Sequence, residues 1–262
     1  MAIEISFGQY LPLNSSIHRL DPRIKLIATF ISIIFIFIIK DFLGYALLAC
    51  FLLGLIILSK VPPLYIFRGL RPLLFFILLT FFLHLFTTQG TVIFQWWFLK
   101  GTMEGLRNGL LMVSRFMLLI SFSTLLTLTC SPLELTDALE SLLSPLKRIG
   151  FPSHEIAMMM SIALRFIPVL VEETNRIIKA QVARGADIES GGILNRAKNL
   201  IPILVPLFIN TFKRADDLAL AMEVRCYRGG EGRTKMKEYT LSHRDYLFLF
   251  ISIIVGILSV LI

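Results

Sequence analysis

Ile24–Ile39 reads IKLIATFISIIFIFII, and after only Lys40 and Asp41 the chain resumes with Phe42–Leu58, FLGYALLACFLLGLIIL. Each run approaches the length of about 20 apolar residues that carries a helix across the hydrocarbon of a bilayer. A two-residue junction leaves room only for a helical hairpin. Three further stretches repeat the pattern: Pro72–Phe86, Leu106–Thr129 and Tyr246–Ile262. The 262-residue chain is 56% hydrophobic with 22 Phe and a mean hydropathy of +0.77, more than a water-soluble domain with a polar surface reaches. The expected fold class is therefore all-α: a polytopic membrane protein with about five transmembrane helices. No short apolar segment ending in a cleavage site opens Met1 to Lys25, and no removable signal peptide is expected.

Charge gives the orientation. Net charge is +8, and 22 of the 26 Lys and Arg fall on one side if the N-terminus is cytoplasmic and there are five spans. Only Lys40, Lys100 and Arg107 lie outside, with Arg115 inside a span. Because Lys and Arg resist translocation, this predicts a cytoplasmic N-terminus and an extracellular C-terminus. Trp96 and Trp97, beside Phe94 and Phe98, then form an anchor at the outer interface. Arg115 is costly in lipid and must face protein, a polar cavity or a snorkelling route. The sequence names no partner for it.

Three segments follow: 1–130 with the N-terminal spans, 131–245 as a large cytoplasmic helical region, and 246–262 as the last span. The middle segment holds 16 of the cations yet contains long apolar stripes. Ser131-Pro132-Leu133-Glu134 has the composition of a helix start and predicts a helix to about Leu146. Phe151 to Glu155 opens a longer helix, with Pro168 inside it. Leu194–Met222 is a third, containing Pro202 and Pro206, and its stretch Ile201–Phe212 is apolar over about half a bilayer and reads as cytoplasmic or interfacial.

Catalytic signatures are missing. There is no Gly-Lys of a Walker loop and no GxSxG, and Met158 stands where a zincin needs its second histidine after His154-Glu155. The chain reads as no enzyme, with no cofactor, no metal site and no nucleic-acid partner. Gly229 to Arg233 reads as a flexible turn. Cys50, Cys130 and Cys226 share no metal or redox spacing, nor do His18, His84, His154 and His243, for which solvated or helix-capping roles are expected.

One internal echo stands out. Ala180-Gln181-Val182-Ala183-Arg184-Gly185 matches Ala221-Met222-Glu223-Val224-Arg225-Cys226 at an offset of 41 residues. Each ends a predicted helix with one arginine and then a small residue, and two similar helix ends imply two similar receptors. An arginine fork suits such a contact, although neutralising a helix C-terminus is the alternative reading of either residue alone.

These residues carry a resemblance to a family. Gly8-Gln9-Tyr10, Ser16 to Lys25, Arg165-Phe166-Ile167-Pro168 with Glu172-Glu173, Ala183-Arg184-Gly185-Ala186-Asp187 and Ala221 to Tyr227, in this order, resemble the transmembrane T component of energy-coupling factor (ECF) transporters, ABC-type importers of vitamins and metal ions. The second arginine motif departs from the common Ala-Arg-Gly form in having Val224 and Cys226 as flanks. The resemblance implies that Arg184 and Arg225, with Ala183, Gly185 and Glu223, engage two cytoplasmic ABC ATPase subunits. It also implies a small membrane-embedded substrate-binding S component as partner. Met158-Met159-Met160 suits a surface that accepts that partner, because thioether side chains repack against varied shapes; ordinary helix packing is the alternative. Asp21-Pro22-Arg23 is expected to anchor the first span against the coupling region. A channel or secondary transporter, or an integral-membrane enzyme, are the rival readings. The spans contain almost no acids or histidines, and the only duplication lies at cytoplasmic helix ends.

Overall fold

The computed structural model describes residues 10–96, 99–186, 192–229 and 241–262. Side chains 93–100, which include the expected aromatic anchor, and Gly8, Gln9, Asp187 and Gly230 to Arg233 lie outside the described residues. The rest is almost entirely helical: α1 (Pro22–Ile38), α2 (Phe42–Ser59), α3 (Pro63–Leu70), α4 (Leu74–Thr87), α5 (Met103–Thr129), α6 (Pro132–Leu143), α7 (Ser153–Ala183), α8 (Ile193–Val224) and α9 (His243–Leu261). One short antiparallel hairpin, β1 (Val92–Trp96) with β2 (Leu99–Thr102), joins α4 to α5 and was not anticipated from the sequence.

Five of the described helices are long and apolar enough to cross a membrane: α2, α3 running on into α4, α5, α7 and α9. Four of these coincide with expected spans. The exchange is between α1 and α7. At 17 residues, α1 is only about 25 Å long, whereas α7 has 31 residues, with an apolar first half followed by Glu172, Glu173, Arg176 and Lys179. Several boundaries also move: the span expected from Pro72 begins at Pro63, with α3 unanticipated, and α5 begins at Met103, three residues before the expected Leu106. Asp245 completes a capping box with Ser242, so α9 starts three residues before the expected Tyr246. The helix expected to reach Leu146 stops at Leu143, where Pro145 cannot donate a backbone hydrogen bond and a tighter 3-10 turn takes over to Ile149.

The described chain divides into two compact units. The first comprises residues 10–138 and 241–262, where α5 packs against α1, α2, α3 and α4, and α9 against α1 and α2. Its surface is inverted relative to a soluble protein. Phe67, Phe75, Leu83, Phe250 and Ile57, the last 76% exposed, face outward, while Ser32, Ser59, Ser252 and Ser259 are buried. Each serine hydroxyl donates to a carbonyl of its own helix, which spares the interior an unsatisfied polar group. Small residues set the spacing: a Cβ on Gly44 would collide with Ser259 O, and one on Gly256 with the Phe35 ring.

Arg115 does have partners. Its Nε donates to the Tyr45 hydroxyl at 2.9 Å and its terminal nitrogen to Ile39 O at 3.3 Å, and the guanidinium lies 5.9 Å from the Phe37 ring centroid. Tyr45 Oη in turn sits 3.2 Å from both Ile36 O and Ile39 O. The cation thus satisfies carbonyls that the end of α1 leaves open and complements its negative dipole. Only the fold brings residue 115 to the hairpin around residue 40, which is why the sequence named no partner. Arg115→Met is expected to destabilise the first unit by about 2–3 kcal/mol, from the loss of two charge-assisted hydrogen bonds; thermal unfolding in detergent measures it, and an unchanged midpoint would refute the account.

At the other end of α1, Asp21 caps the helix by accepting from Arg23 N at 2.9 Å, and Asp21 N donates to Asp245 Oδ1 at 2.9 Å. Lys25, 4% exposed, donates from Nζ to His18 O and Thr129 O, each at 3.0 Å. The Asp21 segment is therefore anchored, but by the cap of α9 and the end of α5. His18 is not solvated: Nε2 donates to Leu11 O at 3.0 Å, leaving Nδ1 to accept from the Ser15 hydroxyl at 2.6 Å, and burial holds its pKa below the usual imidazole value. Cys130 is buried core filler, its thiol pushed up to about 12 by burial.

Candidate functional site: two arginine helix caps

The second unit, described over residues 139–186 and 192–229, contains the long helices α7 and α8. Both run unbroken through their prolines. Pro206 has no N–H to offer the carbonyl four residues back, and the Gln181 side-chain amide of α7 donates to that atom, Pro202 O, at 3.2 Å. Farther along, Glu173 accepts from Asn210 Nδ2 at 3.0 Å and lies 3.6 Å from an Arg214 nitrogen. Last, the Tyr227 hydroxyl is 3.4 Å from His154 Nε2. Positions on α8 rise from 202 to 227 as their partners on α7 fall from 181 to 154, so the two helices are antiparallel.

The duplicated motif becomes a duplicated geometry. Arg184 is the C-cap of α7, with φ −86° and ψ 5°, and Arg225 the C-cap of α8, with φ −85° and ψ 12°. After each comes a residue in the left-handed region, Gly185 at φ 84° and Cys226 at φ 56°. The closing bonds match: Gly185 N to Val182 O at 2.9 Å and Ala186 N to Gln181 O at 3.0 Å, against Cys226 N to Glu223 O at 2.8 Å and Tyr227 N to Met222 O at 3.0 Å. Both ends are Schellman caps with arginine in the same place. The departure of the second motif from Ala-Arg-Gly leaves its shape intact. Cys226→Gly is expected to stabilise the second unit by about 0.5–1 kcal/mol, since glycine carries no Cβ penalty in that region, with the cap preserved; a fall in the unfolding temperature would contradict it.

Because the helices are antiparallel, the two caps lie at opposite ends of the pair, separated by the length of α8 from Pro202 to Arg225, roughly 35 Å. Ala183, Arg184, Gly185, Glu223 and Arg225 are all exposed, as are the flanking Val182 and Val224. The methionines are placed apart from the first cap: Met159, 59% exposed, and Met160 lie near the start of α7, at the Arg225 end, with Met158 half-buried. A larger apolar surface occupies the other half of α8, where Ile201, Leu204, Val205, Phe208, Ile209 and Phe212 form one exposed stripe at helical spacing. Its periodicity was readable in the sequence, but its exposure was not. His154, expected to be solvated or capping, instead joins Glu140 and Tyr227.

Residues 13–236 match the family model described as CbiQ, cobalt transport protein. The chain belongs to the CbiQ family. It is 55% identical to the energy-coupling factor transporter transmembrane protein EcfT of Thermosediminibacter oceani, over 98% of this chain and 96% of that one. Identity is 51% to the EcfT of Clostridium kluyveri, over 100% and 97%, and 49% to that of Bacillus subtilis, over 91% and 90%. The resemblance drawn from the motifs thus holds over nearly the whole length. A CbiQ-family match and several helices long and apolar enough to cross a membrane together describe a multi-pass membrane component of a transport system.

Proposed function

We propose that the chain is the transmembrane energy-coupling subunit of an energy-coupling factor importer, performs no catalysis itself, and inserts Arg184 and Arg225 into grooves on two cytoplasmic ABC ATPase subunits. The observation that carries this reading is the pair of matching arginine caps at opposite ends of one antiparallel helix pair. A dimer of ATPases presents two equivalent grooves, and two rigid, superposable helix ends suit them. Small Ala183 and Gly185 admit the groove wall close to the first arginine, and Glu223 flanks the second.

In this mechanism ATP binding draws the ATPases together and forces the two caps toward each other, and hydrolysis relaxes them. The bonds of Glu173 with Asn210 and Arg214, midway along the pair, supply the point about which α7 and α8 move against each other. A small substrate-binding S component, which supplies the specificity for a vitamin or other micronutrient, rests on exposed apolar surface of the same helices: the stripe from Ile201 to Phe212, and Met158 to Met160 at the other end. The coupling helices and the N-terminus face the cytoplasm, the C-terminus faces outward, and the subunit resides in the cell membrane, a placement that the distribution of Lys and Arg supports when α1 is counted among five spans.

Affinity purification of the tagged chain from its native membrane in mild detergent tests the proposal. Two ATPases and one small membrane protein are expected to accompany it. Recovery of the chain with no ATPase, under conditions that keep other membrane complexes whole, would overturn it.

A further inference from the structure

The second cap is tied down by side chains beyond Arg225 and its two immediate neighbours. Tyr227 closes this cap with its backbone N–H, and its hydroxyl reaches His154 Nε2 at 3.4 Å. His154 Nδ1 lies 3.0 Å from Glu140 Oε1, with the two side chains 24% and 14% exposed. A carboxylate oxygen only accepts, so Nδ1 carries a proton toward Glu140, and Nε2 is left to pair with the Tyr227 hydroxyl. The chain of bonds therefore runs from α6 through the first turn of α7 to the residue two places beyond Arg225. At the first cap the corresponding contact is of another kind, the Gln181 amide on the carbonyl that Pro206 leaves open.

We propose that Glu140, His154 and Tyr227 form a latch that positions Arg225 for its ATPase, so that the two superficially equivalent caps are held by different means and are mechanically unequal. The inference rests on the reading of the caps as ATPase contacts. These three are positioning residues. Tyr227 fixes the turn that directly follows Arg225, and His154 passes the constraint to α6, so a push on this arginine is delivered to α6 and α7 without being absorbed by a free helix end.

The test uses the full-length chain in lipid nanodiscs and its purified ATPase pair, with binding measured in two backgrounds. In Arg184→Ala, capture depends on the Arg225 end; in Arg225→Ala, on the Arg184 end. Tyr227→Phe, which removes only a hydroxyl, and His154→Ala are each expected to weaken ATPase binding about tenfold in the Arg184→Ala background, as loss of a hydrogen-bonded connection does, and to leave binding in the Arg225→Ala background unchanged. His154→Gln, which can both donate and accept, is expected to restore most of the loss. Unchanged binding in the Arg184→Ala background overturns the latch, and so do equal losses in both, which would mark a general effect on folding. If neither Arg184→Ala nor Arg225→Ala alone weakens ATPase binding, the coupling reading itself fails and the latch falls with it.

Discussion

The double variant Arg184→Glu with Arg225→Glu is expected to abolish ATP-driven uptake while the chain remains folded and membrane-inserted. Both side chains are exposed, and the bonds that close their caps run between backbone atoms, so the cap geometry does not depend on the guanidinium groups. A glutamate at the negative end of a helix costs about 0.3–1 kcal/mol per site, too little to unfold the unit. The proposed contacts are more sensitive, because reversing a charge inside a groove built for its opposite costs about 2–5 kcal/mol per site and the two sites act together. Loss of ATPase capture by a thousandfold or more follows on that arithmetic. Labelled-substrate uptake into vesicles and ATPase co-purification read the result, each single variant giving a partial loss. Normal uptake by the double variant would exclude the arginines from coupling.

Lys25→Met is expected to produce the largest loss of stability, about 3 kcal/mol or more, because two buried carbonyls, His18 O and Thr129 O, lose their donor at once. Removing a buried cation recovers some desolvation energy. That gain is offset by the two carboxylates left behind, Asp21 and Asp245, each 4% exposed. For a chain of this size the unfolding midpoint should fall by about 6–12 °C. Lys25→Arg, which keeps the charge and donors, should fall less. A methionine variant as stable as the parent would mean that the lysine contributes nothing to joining α1, α5 and the turn at His18.

The contrast between these two residues shows how legibility varied. Arg184 and Arg225 were found from sequence because helix ends are local: a small residue after an arginine, at the end of an amphipathic run, specifies a Schellman cap without help from the rest of the chain. Lys25 was legible only as one of many cations near a span, since its partners come from residues 18 and 129. Arg115 and His154 failed for the same reason. Their partners at 39 and 45, and at 140 and 227, are set by helix packing, which composition does not encode. The missed hairpin of β1 and β2 is too short for a hydrophobic period to reveal. Length and composition alone do not separate α1 from α7, because a short membrane helix and a long apolar coupling helix both come close to that measure.

By itself, then, the sequence determined that this is a predominantly helical membrane protein, where many of its helix ends fall, though not the start of α3 at Pro63, and that two of those ends are copies of each other, because hydropathy, capping and proline act over a turn or two of chain. The tertiary structure alone decided that the copies face opposite ways. The carbonyl freed by Pro206, the Asn210 and Arg214 side chains and the Tyr227 hydroxyl each find a partner on α7 only in the antiparallel arrangement, and it is that pairing of polar groups that puts roughly 35 Å between the two arginines.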